Sequence, residues 1–495
     1  MNLNIRTELT LENLYTLLIK PIPQKTEEET TIQPKNNAFE DYNLKLKEKI
    51  INLVNGGLLE EAKTLILDYK SFVNDDVEIY LLEAFIALME GKMQEGEIFL
   101  KDGLKIDDNN VALLLTLSYI QSQSNNTTVA LETYSKAKLF NPNNTIKVRE
   151  IMSNLEPIDN SKLRILHGTV EIANQMSTIT QGLRKLGVDA KSLNYYPNYF
   201  GYKCDYVVAV NAYKDKTQMN NKIKNLAAKF ISENDVFHFH FASTLALDYS
   251  DLPLLKELDK KVFMQYWGSD VRMYSKAKAL NRFVKVKTMN EEAIKRRLNF
   301  LSNHITKCIV SDWELYEYVK DIHDTIYLIR QAIDLEKYKV NIPNNKKLLI
   351  VHAPSSPEIK GTNYILEAIE KLKDHYDFEF ILVNGMAHDK AKEIYAKADL
   401  IIDQILCGSY GLFAIESMAM GKPVISWISD FMTDKYPSEL PIVSANPETI
   451  KDKIEYLLIN KELLPELGAR GRAYVEKYHD KDIIAKELLE LYKSV

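Results

Sequence analysis

Beyond residue 163 the chain alternates between two hydrophobic rhythms. Short apolar runs stand at "LRILHG" (163–168), "DYVVAV" (205–210), "DVFHFHF" (235–241), "KVFMQYWG" (261–268) and "KCIVS" (307–311). Longer stretches with helical spacing separate them, the first being "ANQMSTITQGLRKLG", which stops at Gly187. Strands that alternate with helices predict a parallel sheet covered by helices on both faces. The pattern restarts at "KKLLIVHAP" (346–354) and runs through "FEFILVNG" (378–385), "DLIID" (399–403) and "PVISW" (423–427), with helices between. It predicts a second doubly wound unit, joined to the first near "IRQAIDLEKY" (329–338). Ligands of such open sheets bind at the carboxyl ends of the strands, so both units are expected to face one cleft. The last stretch, "ARGRAYVEKYHDKDIIAKELLELYKSV", is expected to cross back to the first unit.

The rhythm ahead of residue 150 is different. Residues 42–150 are helical throughout, with short polar breaks. Ala62, Gly96 and Ala130 stand 34 residues apart, and so do Asp76, Asn110 and Asn144. A helix–turn–helix period of this length resembles the tetratricopeptide repeat. Small residues would let paired helices approach, and Asp or Asn would cap the next helix. The usual Trp is missing and only Pro142 stands for the usual prolines, so a generic helical bundle is the alternative. Repeats of this kind form a concave surface for a peptide, a partner or a second copy. The expected organisation is a short helix (8–19) and polar linker within 1–40, and a repeat domain at 41–152. An acceptor-side Rossmann-like domain at 163–330 and a donor-side one at 331–475 follow, then a returning helix at 476–495.

Bulk properties narrow the function. The 495 residues exceed one ordinary core, which agrees with several domains. A net charge of −6 argues against nucleic-acid binding. Cys204, Cys308 and Cys407 are too scattered for a disulfide framework or a metal motif, and fit a reducing cytoplasm. No apolar run reaches membrane-spanning length. A cytoplasmic location is expected, with at most peripheral contact at the inner face of a membrane.

The chemistry gathers in the second unit. "CGSYGLFAIESMAMGKPVIS" (407–426) reads as a loop entering a helix whose single acid is Glu416. The helix terminus, with amides around Ser409, Tyr410, Gly411 and Leu412, is an anion site. Glu416, one turn further on, could accept hydrogen bonds from a ribose diol; the plainer reading is an acid that favours the helix dipole. In "HAPSSPEIKGT" (352–362), Lys360 and Gly361 follow another strand and open the next helix. Alone they would be structural; together with the 409–412 loop they could meet one diphosphate. In the first unit, His240 ends a strand and is read either as a cleft residue or as a core pair with His238. Asp270 is read either as a substrate contact or as a helix cap with Ser269. Gly168, at the end of the first strand, and Arg272 are further cleft candidates; Glu171, Asn174 and Gln175 could line the same mouth.

"KGT", "ADLIIDQ", "GSYGLFAIESMAMGKPVIS" and "LGARGRAYVEKYH", in that order, resemble the donor-binding half of retaining GT-B glycosyltransferases, in particular family 4. "WGSDVR" (267–272) and "IRQAIDLEKY" are similar to that family's acceptor-side and interdomain segments. The resemblance spans roughly 163–490. It implies a nucleotide-diphosphate sugar in the cleft, Glu416 on the ribose, Lys360 and the 410–412 amides on the diphosphate, and no metal or other cofactor. It also implies a glycan or protein acceptor, in surface-polysaccharide synthesis or protein glycosylation, with His240 and Asp270 as catalytic candidates. Two positions depart from the family pattern. Gly408 stands where the family carries the first of two acids, and the Arg that usually precedes the Lys is absent, with Arg330 a possible substitute. A non-catalytic GT-B scaffold or partner subunit is therefore the alternative function, and an epimerase or phosphorylase of the same shape a third.

Overall fold

The computed structural model describes residues 38–495 apart from 125, 153, 154 and 199. The expected helix at 8–19 and the polar linker after it lie outside the described residues. The chain divides into two compact units. One holds the residues up to Pro157 together with Asn220–Glu233 and Pro253–Asp259, and the other holds Ile158–Met219, Asn234–Leu252 and Lys260–Val495.

The elements of the first unit, among the described residues, are all helices. Helices begin at Leu59, Met93 and Thr127, each 34 residues after the last, and their partners begin at Val77, Val111 and Val148. Ala62 and Ala130 are fully buried, and a Cβ on Gly96 would stand 3.3 Å from the carbonyl oxygen of Ala84. These small residues therefore set how closely the helices approach. Asp76 and Asn110 cap the next helix, accepting from the amides of Glu78 and Leu113. Asn144 does not: it accepts from Ile146 within the turn, and the short helix Val148–Ile151 starts after Lys147. Glu257 accepts from the Tyr134 hydroxyl at 2.5 Å and from the Val148 amide at 2.7 Å.

The second unit holds two all-parallel sheets. The first has seven strands: β1 (Arg164–Thr169), β2 (Asp189–Asn194), β3 (Tyr206–Val207), β4 (Val236–His240), β5 (Lys261–Gln265), β6 (Lys307–Val310) and β7 (Thr325–Leu328). Their order is β3-β2-β1-β4-β5-β6-β7. The second sheet takes β8 (Leu348–His352), β9 (Phe378–Leu382), β10 (Leu400–Ile402), β11 (Val424–Ser426) and β12 (Val443–Ser444), in the order β12-β11-β10-β8-β9. Two Rossmann-like domains after an all-helical region are what the alternation predicts, and match the GT-B fold that the resemblance implies. β2, β7 and β12 escape the apolar-run criterion. In β2 ("DAKSLN") the polar residues are used locally, since Ser192 and Asn194 satisfy backbone and side-chain partners around Asp205 and Glu171. Among the described residues no helix is long and apolar enough to cross a membrane.

The chain returns to the first sheet after the helix Leu464–Tyr478. The final helix, Lys481–Ser494, places Ile484, Ala485, Leu488 and Tyr492 in the same core cluster as Ile165, Val236 and Phe263. It crosses the helix Gln175–Lys185 at Gly182, where a Cβ would meet Ala485 Cβ at 2.7 Å and the Lys481 carbonyl at 2.8 Å. Nothing larger than hydrogen fits between two backbones this close. Gly182→Val should therefore lower the urea midpoint, by ~1–3 kcal/mol of overpacking, with the loss read by circular dichroism.

Tyr492 also enters a buried hydrogen-bonded chain. Trp267 Nε1 donates to His240 Nδ1 at 3.1 Å, and His240 Nε2 faces His167 Nδ1 at 3.1 Å. The other nitrogen of His167 faces the Tyr492 hydroxyl at 3.4 Å, and that hydroxyl meets His238 Nδ1 at 2.5 Å. Ring nitrogens of the three histidines lie within 4.8 Å of one another, but the two nitrogens of His167 serve different neighbours, so the rings form a chain and not a converging ligand set. Burial pushes all three imidazoles well down from their ordinary value, His238 to about 3. They are neutral when folded. Below about pH 6.5 the unfolded chain takes up protons that the folded chain refuses, so stability is present above that pH and is lost as pH falls. In urea denaturation the share of the unfolding free energy that these histidines contribute should be constant above pH 7 and fall between pH 6.5 and 4, by ~1.4 kcal/mol per pH unit for each proton. His238→Phe should flatten that slope.

Candidate functional site

A cleft of about 500 Å³ opens at the carboxyl ends of both sheets in the second unit. From the first sheet domain it is lined by Glu171 after β1 and by Phe200 and Tyr202 after β2. From the second it is lined by Lys360 after β8, by Asn384 after β9 and by Glu416. A smaller neighbouring pocket of about 240 Å³ shares Tyr202, His388, Leu412 and Glu416 with it.

Glu416 sits on the helix Leu412–Ala419, seven of whose eight residues are buried. The helix packs in one apolar cluster with Val351, Ile401 and Val424 of the sheet. The carboxylate accepts at Oε1 from the Tyr338 hydroxyl (2.7 Å) and from His388 Nε2 (2.8 Å). Burial, then the Glu416 charge, pushes the Tyr338 phenol well up, so it stays a donor. Tyr338 belongs to the segment joining the two sheet domains. That segment is fastened on both sides: Gln175 bonds both backbone groups of Ala332, at 2.8 and 2.9 Å, and Ile333 pairs with the backbone of His479 and Lys481. Sequence reading missed Tyr338 and His388, because neither has an apolar or glycine signature; their role comes from what faces Glu416.

Lys360 lines the cleft floor, and its ammonium pairs with Asp403 at 2.6 Å. Asp403 is fully buried at the end of β10, and its other oxygen accepts from the Gly411 amide at 3.3 Å. A carboxylate of the protein thus stands where the amide of this helix start would otherwise meet a ligand. An acid ending the apolar strand "DLIID" was the available signal for Asp403. Phe413 lies 5.7 Å from the Lys360 ammonium, ring face toward it.

The other expected site residues divide clearly. Leu412 lines the cleft. Gly361 is structural: at φ +85 it packs so tightly that a Cβ would meet Ile405 at 2.6 Å. Ser409 is buried and gives its carbonyl to Gln404. Tyr410 turns into the core, its hydroxyl meeting Tyr474 at 3.1 Å and His479 at 3.0 Å. Arg330 stacks on Tyr478, its guanidinium 4.9 Å from the ring centroid.

The acceptor-side expectations are corrected more fully. His240 is locked in the buried chain with Trp267 and His167 and does not reach the cleft. Asp270 is 1% exposed, and its carboxylate accepts from the Trp267 and Gly268 amides, at 2.7 Å for the latter. It clamps the turn after β5; it neither touches the cleft nor caps a helix. Arg272 makes a two-pronged pair with Glu314 at 2.7–2.8 Å. Gly168 is a buried residue of β1, packed near Leu193. Of the neighbouring candidates only Glu171 lines the main cleft, accepting from the amides of Met176 and Ser177 at 3.1 Å, with burial raising its carboxyl to about 7. Asn174 and Gln175 line the smaller pocket.

No family model matches the chain. The trehalose synthase of Pyrococcus horikoshii is 26% identical over 174 residues, covering 34% of this chain and 40% of that protein. An uncharacterized glycosyltransferase of Methanocaldococcus jannaschii is 24% identical over 143 residues, covering 24% of this chain and 40% of its own. The chain therefore spans about two fifths of the length of these relatives. Among solved structures, HepE of Anabaena in complex with UDP-glucose covers 67% of this chain and 100% of its own, at 10% identity and a TM-score of 0.49.

The Lys360–Asp403 pair yields a test. Removing one partner of a buried pair strands the other charge, so Lys360→Ala should cost ~3–5 kcal/mol of stability by urea denaturation. The double change Lys360→Met with Asp403→Leu should recover most of it, a coupling that a double-mutant cycle measures.

Proposed function

We propose that this chain is a glycosyltransferase that binds a nucleoside-diphosphate sugar in the cleft and passes the sugar to a glycan or protein acceptor. The observation that carries the reading is Glu416. A buried carboxylate on the first turns of a helix, oriented by Tyr338 and His388 on one oxygen, keeps its second oxygen for a ribose hydroxyl. A charge-assisted bond of that kind is worth about 1.5–3 kcal/mol. The names of the curated relatives, a trehalose synthase and a glycosyltransferase, point the same way.

In this reading the nucleoside lies along the second sheet domain, between Glu416 and the loop after β9. The diphosphate lies toward Lys360. Phe200 and Tyr202, stacked at 5.6 Å with 16° between planes, offer the opposite wall an aromatic face for a sugar ring. Charge on the leaving diphosphate is met by side-chain cations in a partly water-excluded site. Transfer is expected to be metal-independent and to retain the anomeric configuration, with the leaving phosphate helping to deprotonate the acceptor. The helical unit would recruit the acceptor or a partner.

A nucleotide-binding scaffold without transfer is the second reading. It is favoured by Gly408, which leaves the cleft without the family's donor-sugar acid. Release of nucleoside diphosphate from a panel of nucleotide sugars separates the two, and transfer unaffected by EDTA would support the metal-independent route. Glu416→Ala should weaken nucleoside-diphosphate binding about 10–100-fold by calorimetry, while leaving the far-ultraviolet spectrum unchanged. Unaltered binding in that variant would sink the ribose assignment.

A further inference from the structure

The cleft is short of positive charge for a diphosphate. Glu171 and Glu416 both line it. Its floor cation, Lys360, is already paired with Asp403, and the same carboxylate takes the Gly411 amide. A lysine already compensated by Asp403, in a cleft that two further acids line, is a poor receptor for two phosphate charges.

The cleft has a second lysine, Lys287, and it comes from the opposite wall. It is exposed, on the stretch between the helices Tyr274–Leu280 and Glu291–Ser302 of the first sheet domain. That stretch is pinned to the second domain at its start. Asn281 Nδ2 donates to the Leu406 carbonyl at 2.7 Å, inside a buried contact. Arg282 pairs with Glu448, and the Phe283 ring meets Trp427 edge-on at 5.2 Å. Three successive residues thus hold the stretch against the segments that follow β10, β11 and β12.

Gly408 makes this docking possible. Its φ is +80, and a Cβ there would lie 2.9 Å from Ser429 Cβ and 3.2 Å from Asn281 Nδ2. No acid fits at this position, because Asn281 and Ser429 occupy the space. With glycine here, the loop accommodates the docked segment that carries Lys285 and Lys287.

We propose that Lys287 binds the diphosphate of the donor from across the cleft, as the second cation beside Lys360. The inference rests on the nucleotide-sugar reading above and adds to it a contact from the opposite domain. Lys287 reaches the phosphates because Asn281, Arg282 and Phe283 fix the base of its segment. Donor binding then ties the two walls of the cleft together through one diphosphate.

The test compares wild type, Lys287→Ala, Lys287→Glu and Lys285→Ala. Lys285 is exposed on the same stretch but does not line the cleft, which makes it the control. Binding of UDP, GDP, ADP and inorganic pyrophosphate is measured by calorimetry at two salt concentrations, with uridine, guanosine and adenosine as phosphate-free probes. Lys287→Ala should weaken the preferred diphosphate and pyrophosphate about tenfold and Lys287→Glu more, both with a shallower salt dependence. Binding of the matching nucleoside and the urea midpoint should not move, and Lys285→Ala should behave as wild type. Wild-type diphosphate affinity in Lys287→Ala overturns the proposal. If Glu416→Ala still weakens binding in that case, the nucleotide-sugar reading stands without it. A wild-type protein that binds none of the diphosphates overturns both. Equal losses in Lys285→Ala and Lys287→Ala would also overturn the proposal, by reducing the effect to general surface charge.

Discussion

The buried carboxylate of Asp403 organises the cleft floor in the second sheet domain. It stands at the end of β10, fully shielded from water, and gives one oxygen to Lys360 and the other to the Gly411 amide. A charge so buried is costly unless it is paired and hydrogen-bonded, so its two partners are held as firmly as it is. One partner fixes the end of the short helix after β8; the other fixes the start of the helix that carries Glu416. The cleft floor and Glu416 are therefore positioned relative to each other through a single side chain.

A second set of constraints places the two sheet domains around that floor. The connecting segment is clamped by Gln175 on one side and by the 479–481 backbone on the other. It then delivers Tyr338 to Glu416. The final helix enters the core of the first domain, where Gly182 lets it approach and Tyr492 closes the histidine chain. Asn281, Arg282 and Phe283 add a third tie near the cleft mouth. The residues that orient the candidate ligand groups thus belong to segments already required for joining the domains.

Much of the frame was legible in the chain. Continuous apolar runs marked most of the inner strands, such as β4, β8 and β10, because strands covered on both faces have no polar side to show. The 34-residue step placed the helices that begin at Leu59, Met93 and Thr127, where small residues recur at the crossings. β2 was missed because its polar residues are spent on Asp205 and Glu171, interactions that leave no periodic trace. Functional residues were harder. His240 and Asp270 have the chemistry of catalysts, yet one is consumed by Trp267 and His167 and the other by its own turn. Composition cannot tell a reactive group from a satisfied one; hydrogen-bond partners can.

Alternation and spacing, which are local properties of a chain, determined the two parallel sheets, the helical repeats, and a helix bearing Glu416 beside a lysine-ended loop. Only the tertiary structure decided what those groups face. Asp403 meets Lys360 across 43 residues of chain, and Asn281 meets Leu406 across 125. Those encounters settle which charges are already neutralised, why Gly408 has no room for a side chain, and which wall of the cleft receives Lys287. The physical reason is range. Strand and helix propensity act over a few residues, whereas the pairing of a buried charge depends on whichever segment folding brings against it.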